Sequence, residues 1–186
     1  MRRKFVTLCV LANALVGGCA APHYGVDYLA TSTSRPYTLG SGDRLRIIVF
    51  GQDALSNTYA VDAAGHIAMP LIGVVPAAGS TTASLARALE AKLRGGFLRD
   101  PKVSVEVEAF RPFFILGEVT LPGQYPYVSG MTVQTAVAIA GGFTPRGYSG
   151  NADVTRTVDG KAYTAPVPIT QPVQPGDTIV IRERFF

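Results

Sequence analysis

The sequence predicts an α+β protein of two small units that follow an N-terminal targeting segment. Short stretches in which apolar and polar residues alternate indicate strands, and a leucine at every fourth residue over one stretch indicates a helix. In the second half, the order of strand, strand, helix and further strands is typical of a β-grasp unit. The length of 186 residues fits one or two such domains, and 47% apolar with 16% charged residues indicates a folded chain.

Residues 1–18 have the pattern of a secretory signal peptide. Basic residues precede a short apolar stretch, and small residues follow it. Cys19 comes directly after Gly18, so cleavage between them makes Cys19 the first residue of the mature chain. This resembles a bacterial lipobox, in which the cysteine is acylated, although Val16 stands where leucine is usual. Ala20, rather than Asp, is similar to an outer-membrane sorting signal. The alternative is an ordinary signal peptide with an incidental cysteine.

Removal of the signal peptide changes the charge and the thiol content. The formal net charge falls from +4 to +1, because three basic and no acidic residues are lost. Residues 19–186 therefore lack the basic excess typical of nucleic-acid binding. With Cys9 removed and Cys19 acylated, we expect no disulfide and no cysteine nucleophile or metal ligand. Residues 19–36 are small and polar, and they are predicted to form a flexible tether.

The first unit is predicted over residues 37–110. Alternating apolar positions indicate its strands, and Ser or Thr at residues 80–82 can cap its helix. The predicted elements are a strand over 44–50, a hairpin of strands 58–61 and 66–69 around Gly65, a helix through Leu85, Leu89 and Leu93 that ends at Gly95, and a strand over 102–108.

The second unit is predicted over residues 111–186. Thr132 can cap a short apolar helix, and Asp159-Gly160 is a strong signal for a two-residue hairpin turn. The predicted elements are a strand over 113–118, a turn at Gly123, a strand over 124–128, a helix over 133–140 that ends at Gly141 and Gly142, a hairpin of strands 153–158 and 161–165, and a strand over 178–182.

A Gly-Asp pair precedes a strand in both units. Gly42-Asp43 stands before the first predicted strand, and Gly176-Asp177 stands before the last one. Asp accepts hydrogen bonds from backbone amides and Gly permits a sharp bend, so repeated turn chemistry explains the similarity. We interpret these residues as structural turn motifs.

No convincing catalytic or metal-binding pattern occurs. The two histidines, His23 and His66, form no cluster, and no nucleophile-elbow motif is present. Glu106 and Glu108 share a strand face and could in principle act as glycosidase carboxylates, but a solvated face is the better interpretation. Glu118 is expected to be a structural or interface acid. We therefore expect no enzyme activity, cofactor or metal. Aromatic residues that could stack on sugars are Phe113, Phe114, Tyr125, Tyr127 and Tyr148, with core packing as the default for each.

An ordered set of motifs resembles one protein family. Residues 39–47 (LGSGDRLRI), 61–73 (VDAAGHIAMPLIG) and 100–105 (DPKVSV) resemble the polysaccharide export domain of Wza-type outer-membrane lipoproteins. Residues 117–125 (GEVTLPGQY), 140–143 (AGGF) and 175–179 (PGDTI) are similar to the soluble-ligand-binding β-grasp (SLBB) domain that follows it in that family. The resemblance covers roughly residues 37–186.

The resemblance implies a lipid-anchored component of a Gram-negative exopolysaccharide or capsule export apparatus. Family members form homo-oligomeric rings, octameric in the best-known cases, at the outer membrane and facing the periplasm. Exopolysaccharide passes through the ring, and an inner-membrane polysaccharide copolymerase docks beneath it. Longer members carry a C-terminal amphipathic helix, whereas this sequence reaches Phe186 soon after a predicted strand. We therefore expect either a separate outer-membrane channel or a collar role.

Two other functions remain open from the sequence. A monomeric envelope lipoprotein could bind a soluble glycan or act as an adaptor without transport. An envelope glycosidase would depend on Glu106 or Glu108. A conduit requires ring closure, so the oligomeric state separates the export hypothesis from the monomeric one.

Overall fold

The computed structural model describes residues 36–158 and 160–184. The predicted signal peptide, the cleavage pair Gly18 and Cys19, and residues 19–35 of the predicted tether lie outside the described residues, as does Asp159 of the predicted hairpin turn. The described chain folds around two hydrophobic cores, one in each half. Mixed helices and strands confirm the predicted α+β fold class.

The first half is a three-stranded antiparallel sheet covered by one helix. Strand β1 (Arg44–Val49) lies between β2 (Asn57–Ala60) and β5 (Val103–Ala109), and a short 3-10 helix (Asp53–Leu55) connects β1 to β2. Alternate β1 side chains are buried, so one sheet face packs on the core and the other meets solvent.

Helix α1 (Thr82–Arg94) covers the buried face of this sheet. The Thr81 hydroxyl accepts the Ser84 amide at 3.2 Å, which caps the helix, and Gly95 is its C-cap residue. Leu85, Leu89 and Leu93 are fully buried, because their spacing places them on one helix face.

The predicted hairpin around Gly65 is wrong in its strand pairing. Strand β2 pairs only with β1 among the described strands, whereas β3 (His66–Met69) pairs with β4 (Gly73–Pro76), a strand that the sequence did not reveal. The turn itself is tight, since the Gly65 amide donates to the Asp62 carbonyl at 3.0 Å. Pairing of β2 with β1 places the partly buried Tyr59 against the first core, and this long-range contact is not encoded by local turn signals.

The second half is a β-grasp. Its strands are β6 (Phe113–Gly117), β7 (Gly123–Tyr125), β8 (Asn151–Val158), β9 (Lys161–Pro168) and β10 (Thr178–Ile181), with α2 (Val133–Ile139) between β7 and β8. The sheet order is β7-β6-β10-β8-β9; β10 runs parallel to β6, and the other neighbours are antiparallel. Helix α2 packs on one face, and the opposite face is open.

The domain junction and candidate binding surfaces

Asp43 is a fully buried carboxylate immediately before β1. Its Oδ2 accepts hydrogen bonds from the Tyr37 hydroxyl at 2.6 Å and the Gly40 amide at 2.8 Å. Its Oδ1 accepts the Arg111 backbone amide at 2.8 Å, and Arg111 Nη1 lies 3.3 Å from Oδ2. A buried charge is tolerated when it is paired and hydrogen-bonded. Asp43 meets this condition by joining its own segment, residues 37–43, to Arg111.

Asp177 is the corresponding buried carboxylate of the second half, immediately before β10. Arg156 of β8 binds it through two nitrogens, with Nε to Oδ1 at 2.8 Å and Nη2 to Oδ2 at 2.7 Å. The Gln174 amide also donates to Oδ2, at 2.7 Å. The Arg156 side chain is almost completely buried too. Each charge of this bidentate pair is therefore compensated by the other charge rather than by water.

The two Gly-Asp turns share one hydrogen-bond pattern. In each, the Asp amide donates to the carbonyl three residues earlier at 3.1 Å, and the Asp carboxylate accepts the amide of that same residue. Gly42 and Gly176 have φ of +93° and +85°, a region that favours glycine. The repeated sequence is thus a repeated turn that places a carboxylate in the interior.

Arg111 connects these two turns across the domain junction. Its Nη1 donates to the Tyr37 hydroxyl at 2.9 Å, and its Nε donates to the Pro175 carbonyl at 3.1 Å. A Cβ on Gly40 would lie 2.3 Å from Arg111 Nη1, and one on Gly176 would lie 2.9 Å from Nε. The turn glycines therefore leave space for the guanidinium. We name Tyr37, Asp43, Arg111 and the 174–177 turn the domain junction.

Tyr37 is held in its protonated form at this junction. Burial, and then the hydrogen bond to Asp43, raise the pKa of its hydroxyl well above the ordinary value. The hydroxyl therefore remains a donor to Asp43 at all ordinary pH values. Its ring packs edge-to-face on Phe110 at 5.0 Å, and Phe110 packs in the same way on Tyr127 at 5.3 Å, so aromatic contacts also cross the junction.

The sequence-predicted sugar-stacking residues are not brought together as one platform. Phe113 is a core residue, stacked at 5.9 Å on Tyr125, whose hydroxyl donates to the Leu121 carbonyl. Tyr127 belongs to the aromatic row at the junction. Phe114 and Tyr148 are the two candidates with substantial exposure.

Each candidate acid has a simple structural setting. Glu108 lies 3.6 Å from Arg44 Nη2 and accepts the Thr58 hydroxyl, while Glu106 faces solvent on the same sheet face. Glu118 accepts the Thr144 hydroxyl. Among residues 36–158 and 160–184, no group of three His, Cys, Asp or Glu side chains is arranged to hold a metal ion. Within those same ranges, no helix is long and apolar enough to cross a membrane.

The remaining predicted turn glycines occupy different positions. Gly65 has positive φ and packs on Ala78, and Gly141 and Gly142 have positive φ at the end of α2. Gly123 is the first residue of β7, so the connection from β6 precedes it rather than including it. β7 itself ends at Tyr125, earlier than the predicted strand.

The hairpin of β3 and β4 presents an uncharged apolar surface. Leu71 and Val74 are 58% and 61% exposed, and residues 67–86 contain no charged side chain. Leu71 has φ of +70°, a conformation that costs a non-glycine residue about 1 kcal/mol or more. Leu71 is therefore an exposed leucine held in a strained turn. We name the exposed residues Ala68, Pro70, Leu71, Val74 and Pro76 the hairpin surface.

The open face of the β-grasp sheet presents a second apolar surface. Phe114 and Leu116 of β6 are 40% and 45% exposed, and they lie beside Thr178 and Val180 of β10. We name these four residues the sheet surface. An ion pair between Arg182 and Asp153 borders it, since Asp153 is the β8 partner of Val180.

Sequence reasoning missed the residues that form the buried polar contacts. The sequence patterns do not single out Arg111 or Arg156, and they place Tyr37 only at the start of the first predicted unit. The two Gly-Asp pairs are the sequence signal for these contacts. An Asp that is buried at such a turn needs a cationic partner. Which cation meets each one depends on chain segments 68 and 21 residues away.

Comparisons with known proteins match both halves. Residues 31–108 match the family model for polysaccharide biosynthesis/export proteins, and residues 112–164 match the SLBB domain. Together these matches cover most of the chain.

Three curated relatives carry related names. The chain is 38% identical over 118 residues to the exopolysaccharide production protein ExoF of Rhizobium meliloti, covering 57% of this chain and 28% of that protein. It is 28% identical over 191 residues to the EPS I polysaccharide export outer membrane protein EpsA of Ralstonia nicotianae, covering 86% of this chain and 49% of that protein. EpsA of Ralstonia solanacearum is 28% identical over 181 residues, covering 82% and 47%. The chain thus spans at most about half of the length of these relatives. In order along the chain, it therefore carries a region similar to polysaccharide biosynthesis/export proteins and a region similar to the SLBB domain.

Proposed function

We propose that this protein is a component of an exopolysaccharide or capsule export apparatus and forms an oligomeric periplasmic ring or collar at the outer membrane. The observation that carries the proposal is the ordered pair of domain matches on one chain, together with similarity to export proteins over 86% of its length. The role is passage of a polymer, and it requires no bond to be made or broken. Acylation at Cys19 anchors the protein, which faces the periplasm.

The two apolar surfaces support assembly into a ring. A closed ring requires a heterologous interface, in which two different surfaces of one subunit meet those of its neighbours. The hairpin surface and the sheet surface lie in different halves of the chain, and both expose large apolar side chains. Contiguous exposed apolar surface is typical of interaction sites.

The domain junction supports the same role. Every subunit of a ring must hold its two interfaces in the same relative orientation. Asp43, Tyr37 and Arg111 tie the first half to the second through partly buried, charge-assisted hydrogen bonds, which restrict relative rotation of the halves. The partners of this role are an inner-membrane polysaccharide copolymerase and a separate outer-membrane channel, which would complete the route of the polysaccharide through the cell envelope.

The test is the mass of detergent-extracted, lipidated protein by light scattering, followed by negative-stain imaging. We expect a closed ring. A monomer at high concentration, with or without membrane extract from the source cells, would overturn the ring and favour a monomeric glycan-binding lipoprotein. Deletion of the gene should abolish polymer secretion, and unchanged secretion would overturn the export role itself.

The variant Leu71→Asn separates assembly from folding. Asn adopts positive φ more readily than Leu, so we expect the monomer to become about 1 kcal/mol more stable to urea. The ring should weaken, because the exposed apolar side chain is gone. Phe50→Asn is the matched control, since Phe50 is an exposed apolar residue outside both named surfaces. Equal loss of rings in both variants would contradict a role for the hairpin surface.

A further inference from the structure

Helix α1 and the segment after it form a local concentration of positive charge. Residues 87–102 contain five cationic side chains and two carboxylates, a net charge of +3, whereas residues 19–186 as a whole carry +1. Arg87, Lys92, Arg94 and Arg99 are all exposed. The rest of the mature chain is therefore slightly acidic, and this surface is its main positive region.

The two carboxylates of this stretch have partners other than Arg87, Lys92, Arg94 and Arg99. Glu90 accepts the backbone amide of Val103 at 3.0 Å, and Asp100 pairs with Lys102 at 3.2 Å. Within the described ranges, no ion pair forms at Arg87, Lys92, Arg94 or Arg99. Most other arginines of the described chain do have a carboxylate partner. These four cations are thus available to an external anion.

The spacing of the cations follows the helix. Arg87 and Arg94 are seven residues apart, which places them on one face and about 10.5 Å apart along the axis. They lie opposite Leu85, Leu89 and Leu93, so they point to solvent. The helix dipole accounts for cations in the last turn, namely Lys92 and Arg94. It does not account for Arg87 in the first half of the helix or for Arg99 beyond its end.

An exposed aromatic ring lies within this group. Phe97 is 50% exposed, while the next residue, Leu98, packs against the core. The amides of both residues donate to the Leu93 carbonyl, which fixes the segment against the helix end. Phe97 stands between Arg94 and Arg99 in the sequence, so an apolar ring accompanies the charges.

We propose that Arg87, Lys92, Arg94, Arg99 and Phe97, here named the basic surface, bind an acidic polysaccharide, a glycan polymer that bears carboxylate groups. The proposal rests on the proposed export function and names the class of polymer. The cations pair with carboxylates along the chain, and Phe97 packs on the apolar face of a sugar ring. Each exposed ion pair is weak, so the polymer can dissociate from the surface as well as bind to it.

An anionic membrane is the competing partner, and the fold disfavours it. A helix that lies in a membrane interface inserts its apolar face among the lipids. In α1 that face is Leu85, Leu89 and Leu93, all completely buried in the protein core. One exposed phenylalanine is a small apolar contribution for membrane insertion. An extended polyanion needs no such insertion.

The test measures binding of the full lipidated protein in detergent to oligomers of polygalacturonate, with dextran oligomers as the uncharged control. The double variant Arg87→Gln/Arg94→Gln is compared with Arg46→Gln/Lys161→Gln, which removes the same charge from exposed cations outside the basic surface. We expect the first pair to weaken binding roughly tenfold and the second pair to change it little. Binding should also fall as salt is raised.

Several outcomes would overturn the proposal. These are no binding of polygalacturonate, equal binding of dextran, or equal weakening in both double variants. Stronger binding to phosphatidylglycerol than to phosphatidylcholine vesicles that is lost in Arg87→Gln/Arg94→Gln, without binding to polygalacturonate, would assign the surface to a membrane instead. Loss of secretion on gene deletion, without polygalacturonate binding, would leave the export role standing and remove only this inference.

Discussion

At the scale of single residues, two buried aspartates determine much of the interior polar structure. Asp43 and Asp177 are both fully buried; in addition to its arginine, Asp43 accepts hydrogen bonds from Tyr37 and Gly40, and Asp177 accepts one from the Gln174 amide. Loss of one partner from a buried ion pair leaves an uncompensated charge, which costs more than loss of an exposed pair. The two arginines are therefore as important to the fold as the turns that the sequence makes obvious.

Removal of the Arg156 side-chain charge should be strongly destabilising. We expect Arg156→Gln to lower the free energy of unfolding by about 3–5 kcal/mol, because Asp177 is then buried without its cation. Urea denaturation measures the change. Arg182→Gln removes an exposed pair with Asp153 and should cost at most about 1 kcal/mol. If the two variants lose similar amounts of unfolding free energy, burial does not make the Arg156–Asp177 pair more important to stability than the exposed pair.

The raised pKa of Tyr37 at the domain junction leads us to expect that the free energy of unfolding falls at high pH. The pKa of Tyr37 is raised in the folded state by burial and by Asp43, so the folded protein keeps this proton when the unfolded chain has lost it. Its contribution is complete below the unfolded pKa of about 10 and declines as the pH rises above that value. Tyr37→Phe should reduce the slope of unfolding free energy against pH in this alkaline range. An unchanged slope would contradict the assignment.

At the scale of elements, α1 is defined by its caps and by one apolar face. Leu85, Leu89 and Leu93 fix which side faces the sheet, and Thr81 and Gly95 fix its ends. The same helix then presents its opposite side, with Arg87 and Arg94, to solvent. One element thus supplies both core packing and the basic surface.

Loss of the α1 cap should have a moderate cost. Thr81→Ala removes the hydroxyl that accepts the Ser84 amide, so we expect about 1 kcal/mol less stability to urea. Thr81→Ser keeps a hydroxyl at the same position and should cost much less. If both substitutions cost the same, the effect lies in packing of the Thr81 methyl group rather than in the cap.

The β3–β4 hairpin shows where element-level prediction failed. Gly65 and Asp62 signal a tight turn, and the turn is present. The strands on either side of it nevertheless pair with other strands, β2 with β1 and β3 with β4. Turn residues determine a local reversal of the chain, whereas strand pairing is decided by burial against the whole sheet.

At the scale of the whole molecule, the halves are joined by contacts between distant segments. Arg111 reaches Asp43, Tyr37 and Pro175, and the Phe110 ring packs between Tyr37 and Tyr127. These contacts are partly or fully buried, so they should hold the halves in one orientation. A ring subunit with two interfaces requires such a fixed relation.

Arg111→Gln should loosen the junction while both cores remain folded. Gln retains the backbone amide bond to Asp43 but loses the guanidinium contacts to Tyr37, Pro175 and the Asp43 carboxylate. Charged hydrogen bonds of this kind contribute about 1.5–3 kcal/mol each, so amide exchange at residues 37–43 and 174–177 should rise at least about tenfold. Arg44→Gln, at an exposed pair, is the control. Unchanged exchange in Arg111→Gln would show that the junction is held by aromatic packing.

The sequence by itself determined the α+β class, the order of the main elements, the helix bounds near Thr81 and Gly95, and the resemblance to polysaccharide export and SLBB domains. These features depend on spacing of apolar residues and on turn chemistry, which act over a few neighbouring positions. Only the tertiary structure decided that β2 pairs with β1, that Phe113 is buried while Phe114 is exposed, and that Arg111 binds Asp43. The reason is physical: alternation shows that a residue belongs to one of two faces, but which face is covered and which charges meet depend on segments far apart in the chain.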